Sequence, residues 1–336
     1  MTEIAEIWLP DANSTVSAGT SLRDTLYGTS ATILLSGTLG AGKTTFLQGF
    51  LSALGVADRV TSPTYALEQR YAGTGGIEIL HIDLYRLSEK QSGELIAQSA
   101  DFTGIRCIEW PERLRTMPEH AVSIDLAESD APGRTLTIRF DDIALPNRSD
   151  IERWRNEAKL PPHIRDHCDA VAGLCDTLGK TLLRRGKLLR PLALRRSAEV
   201  HDLLRFIDFG HGTQPIKAEG TPEEQAAWGS FRNRYPGLRH EAACAAFLID
   251  HGFPALAEIV RVHGLMQPPP ERTTIEQKLL FYADKRVKFD EVVTLDERFE
   301  DFRKRYGNGE RSRDGDIWLK EAKAVEEELF GEAPHA

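Results

Sequence analysis

Apolar positions recur along this chain with two different periods, and the change from one to the other divides it. Residues 32–36 (TILLS) are a short, apolar, β-prone run; a glycine-rich turn and a helix-like run, TTFLQGFLSALG, come after it. The segments IEILHIDLY (77–85), RCIEW (106–110), AVSIDL (121–126) and RTLTIRF (134–140) alternate or cluster apolar side chains as strands do. Beyond them the spacing is helical around 164–185, 195–207, 237–251, 254–264 and 274–290, as with Val171, Leu174, Leu178 and Leu182. Between the two regimes, ALPNRSDIERWRNEAKLPPH mixes prolines, charges and a helix-like piece without a further strand. The pattern predicts an α/β domain over 1–146, a linker over 147–163 and an all-helical domain over 164–336. No internal repeat of fixed period occurs.

A length of 336 residues with 41% hydrophobic content supports two cores. The four cysteines, Cys107, Cys168, Cys175 and Cys244, form no C-x-x-C unit, which argues for reduced, buried thiols and against a disulfide framework or a structural zinc site. The acidic start MTEIAEIWLPDANS has no basic segment followed by an apolar one, and no stretch approaches 18 uncharged apolar residues. A cytoplasmic protein without a membrane partner is expected. A formal charge of −9 gives no strong drive toward nucleic acid, whose binding rests on neutralising several phosphates, so any RNA is expected to be held by a partner.

Chemistry enters with Gly37-Thr-Leu-Gly40-Ala41-Gly42-Lys43-Thr44, which fits G-x-x-x-x-G-K-[ST] between a strand and a helix. Glycines there let backbone N–H groups wrap phosphates, Lys43 reaches the β and γ phosphates, and the Thr44 hydroxyl binds Mg²⁺. Downstream stand Ser62-Pro63-Thr64-Tyr65, His81-Ile-Asp83-Leu-Tyr85-Arg86-Leu87 and Ile108-Glu109-Trp110-Pro111-Glu112. With LSGTLGAGKTT these blocks resemble the TsaE family, the ATPase component of the bacterial machinery that makes threonylcarbamoyladenosine in tRNA. The resemblance covers nearly all of residues 1–145 and departs from the family pattern in the block 88–104.

What the resemblance implies is specific. ATP and Mg²⁺ are the cofactors, with Gly37, Gly40, Ala41, Gly42, Lys43, Thr44 and Thr45 on the nucleotide. Asp83 is the acid on the Mg²⁺ side, Thr64 a switch threonine near the γ-phosphate, Glu109 the acid that polarises the attacking water, and Trp110 packs near the nucleotide. The partners are a TsaB- and TsaD-type complex, with tRNA reached only through it. A small-molecule kinase fused to a phosphatase is the alternative, but a kinase carries an arginine-rich lid, and Arg70 and Arg86 stand isolated.

The helical half supplies an ordered series: His167, the pair His201-Asp202, His240, His263 and Asp284. Over roughly 164–290 it resembles the HD phosphohydrolase superfamily, in which imidazoles and carboxylates together hold a divalent transition metal (Mn, Co, Ni or Fe) with positions left for water and a phosphate oxygen. By that resemblance His167, His201, Asp202 and Asp284 form a first metal site, with Asp202 on a helix as the bridge to a second, and His240 and His263 as additional ligands. Where the family often has Ile-Gly-Lys after the pair, this chain reads Leu203-Leu204-Arg205, with Arg205 a substitute for the lysine. The basic run Arg184, Arg185, Lys187, Arg190, Arg195, Arg196 reads as a solvated helix face or, more sharply, as a phosphate-steering rim. The segment IWLKEAKAVEEELF reads as an acidic amphipathic helix without chemistry. A binding module with both sites degenerate is the remaining alternative, disfavoured by the intact Lys43, Thr44, Asp83, His201, Asp202 and Asp284.

Overall fold

The computed structural model describes residues 3–129, 132–209, 220–306, 312–331 and 334. They fall into two compact units, residues 1–143 with 181–190, and residues 144–180 with 191–336.

In chain order the first unit runs β1 (Glu3–Leu9), α1 (Ala12–Leu22), β2 (Ala31–Gly37), α2 (Lys43–Ala53), β3 (Glu68–Ala72), β4 (Glu78–Asp83), α3 (Glu89–Gln98), β5 (Ile105–Glu109), β6 (Ala121–Glu128) and β7 (Arg134–Phe140). Its strands form one sheet in the order β1-β7-β6-β2-β5-β4-β3. The central β6, β2, β5 and β4 are parallel, and antiparallel strands flank them on both sides. At the centre of the sheet both faces are covered, which is why β2 is an unbroken apolar run rather than an alternating one. Ile33 and Leu35 join Phe46 and Phe50 of α2 in one core cluster, while Leu34 joins Leu80, Ile82 and Ile108 in the other. The fold is thus an α/β unit with a mixed sheet. Four of its elements were not anticipated: β1, α1, β3 and α3. In β1, Ala5, Ile7 and Leu9 point inward, but Ile4 and Trp8 on the outer face are more than half exposed and blur the two-residue period. The α3 helix opens with a capping box between Ser88 and Gln91 inside the block that departs from the family pattern.

The second unit comprises α4 (Arg148–Glu157), α5 (Pro162–Arg184), α6 (Pro191–Val200), α7 (Pro222–Arg234), α8 (His240–Asp250), α9 (Pro254–Arg261), α10 (Ile275–Asp284), β8 (Val287–Lys288), β9 (Glu291–Val292), α11 (Leu295–Tyr306) and α12 (Arg313–Phe330), with the last residues of α5 belonging to the first unit. Among the described residues its regular elements are helical apart from the short hairpin β8–β9, which the expected helix over 274–290 did not include. The stretch expected to be a linker holds α4, and its Trp154 is 1% exposed among Phe247, His251 and Phe253. The helix-like piece read there is α4; charges on its outer face disguised its packing, since only Ile151, Trp154 and Arg155 turn inward.

Residues 181–190 also differ from expectation. Leu188 lies in the core of the α/β unit, its N–H donating to Ser21 Oγ at 2.9 Å, and Arg190 is fully buried there. The Arg190 guanidinium donates to Thr25 O at 2.7 Å and to both carboxylate oxygens of Asp142 at 2.8 and 2.7 Å, and lies 4.2 Å over the Phe140 ring. It is neither a solvated cation nor part of a rim.

Candidate active sites

The first site forms at the carboxyl ends of the parallel strands, where β2 ends in Gly37 and α2 begins at Lys43. Gly37, Gly40 and Gly42 all have positive φ, at 134°, 83° and 105°. At Gly37 a Cβ would also stand 2.5 Å from Leu126 O, so only glycine fits the turn. Lys43 is 5% exposed; its Nζ donates to Gly37 O at 2.7 Å and Thr38 O at 3.0 Å and sits 3.9 Å from the centroid of the Trp110 ring. Burial pushes this ammonium below the usual lysine range, and Glu109, Glu112 and Asp83 pull the other way.

Parallel pairing sets the acids side by side, because Asp83 of β4 is in register with Glu109 of β5, and Glu109 with Leu35 of β2. Glu109 Oε1 accepts the Thr44 hydroxyl at 3.1 Å and lies 3.0 Å from His81 Nε2. Asp83 Oδ2 accepts Thr64 Oγ1 at 2.5 Å and Ser62 Oγ at 2.9 Å, and Asp83 Oδ1 accepts the Tyr85 N–H at 2.9 Å. Trp110 holds a left-handed conformation, φ 61° and ψ 48°, and its ring lies 4.7 Å from that of Tyr85. Lys43, Thr44, Thr64, Asp83, Glu109 and Trp110 are therefore neighbours. Two participants escaped sequence reasoning, Ser62 and His81. Both lay inside quoted motifs, and for His81 the signal was its place two residues before Asp83 on one strand, hence on the same face.

A family model described as "Threonylcarbamoyl adenosine biosynthesis protein TsaE" matches residues 9–136. A protein of Synechocystis sp. named "tRNA threonylcarbamoyladenosine biosynthesis protein TsaE" is 42% identical over 119 residues, covering 34% of this chain and 74% of the relative. The chain belongs to the TsaE family. A relative of the same name from Nostoc sp. is 36% identical over 141 residues, covering 40% of this chain and 86% of its own length. Another, from Aquifex aeolicus, is 38% identical over 112 residues, covering 33% and 79%. The TsaE family model stops at residue 136, so membership rests on the α/β unit.

The second site lies in the helical unit, where helix ends converge. His167 comes from within α5, His201 and Asp202 from the turn that closes α6, His240 from the start of α8, His263 from just past α9, and Asp284 from the end of α10. The pair His201-Asp202 is not on a helix as expected, because α6 ends at Val200 and an N–H of Leu203 closes a tighter turn onto Val200 O. The imidazoles are oriented by backbone carbonyls. Nδ1 of His167, His201 and His263 lies 2.8 Å from Phe289 O, 2.8 Å from Ala198 O and 2.6 Å from Val260 O. Each Nδ1 is held by its carbonyl, and each Nε2 faces a carboxylate: His167 to Asp284 at 3.0 Å, His201 to Asp284 at 3.7 Å, His263 to Asp202 at 3.5 Å. Burial works against a charged His201, but Cys168, Asp202 and Asp284 outweigh it and hold its imidazole well above the usual range, whereas burial pushes His263 down. His240 differs, with Nδ1 2.7 Å from Asp208 Oδ2 and Nε2 3.1 Å from Asp202 Oδ1.

Two atoms at the centre, His201 Nε2 and Asp202 Oδ1, are buried without a well-aligned hydrogen-bond partner among the described residues, His240 Nε2 being 3.1 Å from the second but off-line. Burial raises Asp202 and Asp284, yet Arg205 and His201 for the first, and Lys285 and His167 for the second, outweigh it and hold both carboxyls well below the usual range. A cavity of about 450 Å³ opens beside these residues. Arg205, Arg239, Lys285, Arg298 and Arg303 line it together with Phe299, Phe302 and Trp318. The expected rim arginines do not. Arg195 is paired with Asp176 and Glu199, and Arg196 with Glu199, at the side of α6.

Proposed function

We propose that the chain is an ATPase acting in the formation of threonylcarbamoyladenosine in tRNA, with TsaB- and TsaD-type partners, and that its helical unit is a metal-dependent phosphohydrolase of the HD type acting on a nucleotide or another phosphate ester. The observation that carries the first part is the convergence of Lys43, Thr44, Asp83 and Glu109 at the ends of adjacent parallel strands, behind a glycine turn that exposes backbone N–H groups. Thr44 and Asp83 would hold Mg²⁺. Lys43 exchanges the carbonyls of Gly37 and Thr38 for phosphate oxygens when ATP enters, a gain because a buried ammonium is better matched by an anion than by two neutral dipoles. Glu109 orients the attacking water and takes its proton, and the Trp110 ring lies against the Lys43 ammonium.

For the helical unit, the donor set fits a divalent transition metal: imidazoles whose Nδ1 is held by a backbone carbonyl so that Nε2 faces the acids, carboxylates held well below their usual range, and two buried atoms without an aligned partner among the described residues. His167, His201, Asp202 and Asp284 would hold one ion, with His240 and His263 available to a second; the chemistry supplied is Lewis acidity, which acidifies a water and offsets phosphate charge. Arg205 and Lys285 line the cavity beside the acids and attract a phosphate dianion into it. In the hydrolysis a bond forms from water oxygen to phosphorus, the ester P–O bond breaks, and the leaving alkoxide takes a proton.

The test uses the full chain as wild type, Lys43→Ala and Asp202→Ala. ATP turnover is measured with and without the TsaB- and TsaD-type proteins of the same organism. Phosphate-ester hydrolysis is screened with Mn²⁺, Co²⁺, Ni²⁺ and Mg²⁺ beside elemental analysis. Lys43→Ala removes ATP hydrolysis and spares the esterase; Asp202→Ala loses metal and esterase and spares the ATPase. Full ATPase activity in Lys43→Ala refutes the first part, and retention of metal and esterase activity in Asp202→Ala refutes the second.

A further inference from the structure

His81 is a buried titratable side chain that the steps above do not use. It lies on β4, 0% exposed, opposite Cys107 of β5 and two residues before Asp83, so its ring points to the same face as the acids at the strand ends. Its Nε2 is 3.0 Å from Glu109 Oε1, and the same oxygen accepts the Thr44 hydroxyl at 3.1 Å. The other ring nitrogen, Nδ1, is buried with no hydrogen-bond partner among the described residues. An ionised carboxylate only accepts, so Nε2 carries the proton, and a proton on Nδ1 would be buried unpaired, which is costly. The geometry therefore selects one tautomer.

We propose that His81 is a positioning residue for ATP hydrolysis, holding the Glu109 carboxylate in place while Thr44 changes partner; the inference rests on the ATPase reading of the α/β unit. In the structure Glu109 Oε1 has two donors, and Thr44, at the second position of α2, is the one that must turn away when its hydroxyl is needed at the phosphates. With Thr44 gone, His81 keeps Oε1 anchored to the sheet. Removing it frees the Glu109 side chain about its own torsions, and a displacement near 1 Å of a water-orienting group costs about a hundredfold in rate.

Glutamine and asparagine separate this role from simple space-filling, because a glutamine amide nitrogen stands near the position of Nε2 and an asparagine amide nitrogen near that of Nδ1. The experiment measures kcat, KM for ATP, ADP affinity and melting temperature for full-length wild type, His81→Gln, His81→Asn and His81→Leu. The tautomer of His81 is read by NMR of ¹⁵N-histidine-labelled protein, assigned by its loss in His81→Gln. The expected result is a proton on Nε2, a kcat lowered about tenfold to a hundredfold in His81→Leu and His81→Asn with ADP affinity and KM within about threefold of wild type, and substantial recovery in His81→Gln. Wild-type kcat in His81→Leu, equal losses in the glutamine and asparagine variants that track melting temperature, or a proton on Nδ1 would each overturn it. A wild type that neither binds nor hydrolyses ATP sinks the ATPase reading itself, and this proposal with it.

Discussion

Replacing Arg190 with methionine distinguishes a clamp inside the α/β unit from a basic residue on a surface. Methionine keeps much of the stem volume that packs on Phe140, so what is lost is the charge and its hydrogen bonds. Those lost include two to the Asp142 carboxylate and one to Thr25 O. Asp142 is 12% exposed, so it is left as a largely buried anion without its counter-charge. Breaking a buried pair by removing one partner costs about 3–5 kcal/mol, and the partial access of Asp142 to water places this case near the lower end, about 3 kcal/mol. At about 2–4 °C per kcal/mol for a unit of this size, the melting temperature falls by about 6–12 °C. The double variant Arg190→Met with Asp142→Leu recovers part of the loss, because no uncompensated charge remains. The assay is urea and thermal unfolding of the full chain, with hydrogen exchange of peptides from residues 1–143 reporting which unit opens. Arg184→Ala, at an exposed position of the same basic run, stays within about 0.5 kcal/mol of wild type. An Arg190→Met variant as stable as wild type, or one that opens only the helical unit, refutes the reasoning.

Two further outcomes follow from burial. Trp154→Ala destabilises the helical unit by about 3–5 kcal/mol in urea titrations, since it empties the space between Phe247, His251 and Phe253; a cost under about 1 kcal/mol would mean that α4 does not belong to that core. All four cysteines are buried, and burial pushes the Cys107, Cys175 and Cys244 thiols upward, so less thiolate is present at any given pH than for a free cysteine. Thiol titration at pH 8 should therefore find no rapidly reacting group in the native protein and four after unfolding; rapid native labelling would contradict the packing.

Much of the fold was legible because local physics carried it. The strands 31–37, 78–83, 105–109, 121–128 and 134–140 read directly, each being a short apolar run in a sheet covered on both faces or on one. Glycines at 37, 40 and 42 announced a turn only they could make. Where inward faces hold few apolar residues the sequence said less: α3, which buries Ser92 alone, was hidden, and the helix-like piece that is α4 turns three residues inward out of ten, so its packing did not show. The basic run 184–196 misled because charge along a sequence does not tell which side of a helix or which unit a residue joins.

By itself, the sequence determined the residue types the chemistry needs and the order in which they occur, since motif spacing is set by the strand, turn or helix that carries it. Tertiary structure decided which of them meet. Register between β4 and β5 brought Asp83 beside Glu109 and aimed His81 at the same carboxylate, a contact between residues 28 apart that no local pattern encodes. Carbonyls at Ala198, Val260 and Phe289 hold the imidazoles through Nδ1 and so turn Nε2 inward. The assignment of 181–190 to the α/β unit was likewise a matter of packing: Leu188 and Arg190 found a core and a carboxylate far away in the chain, and the free energy of burying and pairing them outweighs whatever the neighbouring helical sequence would favour.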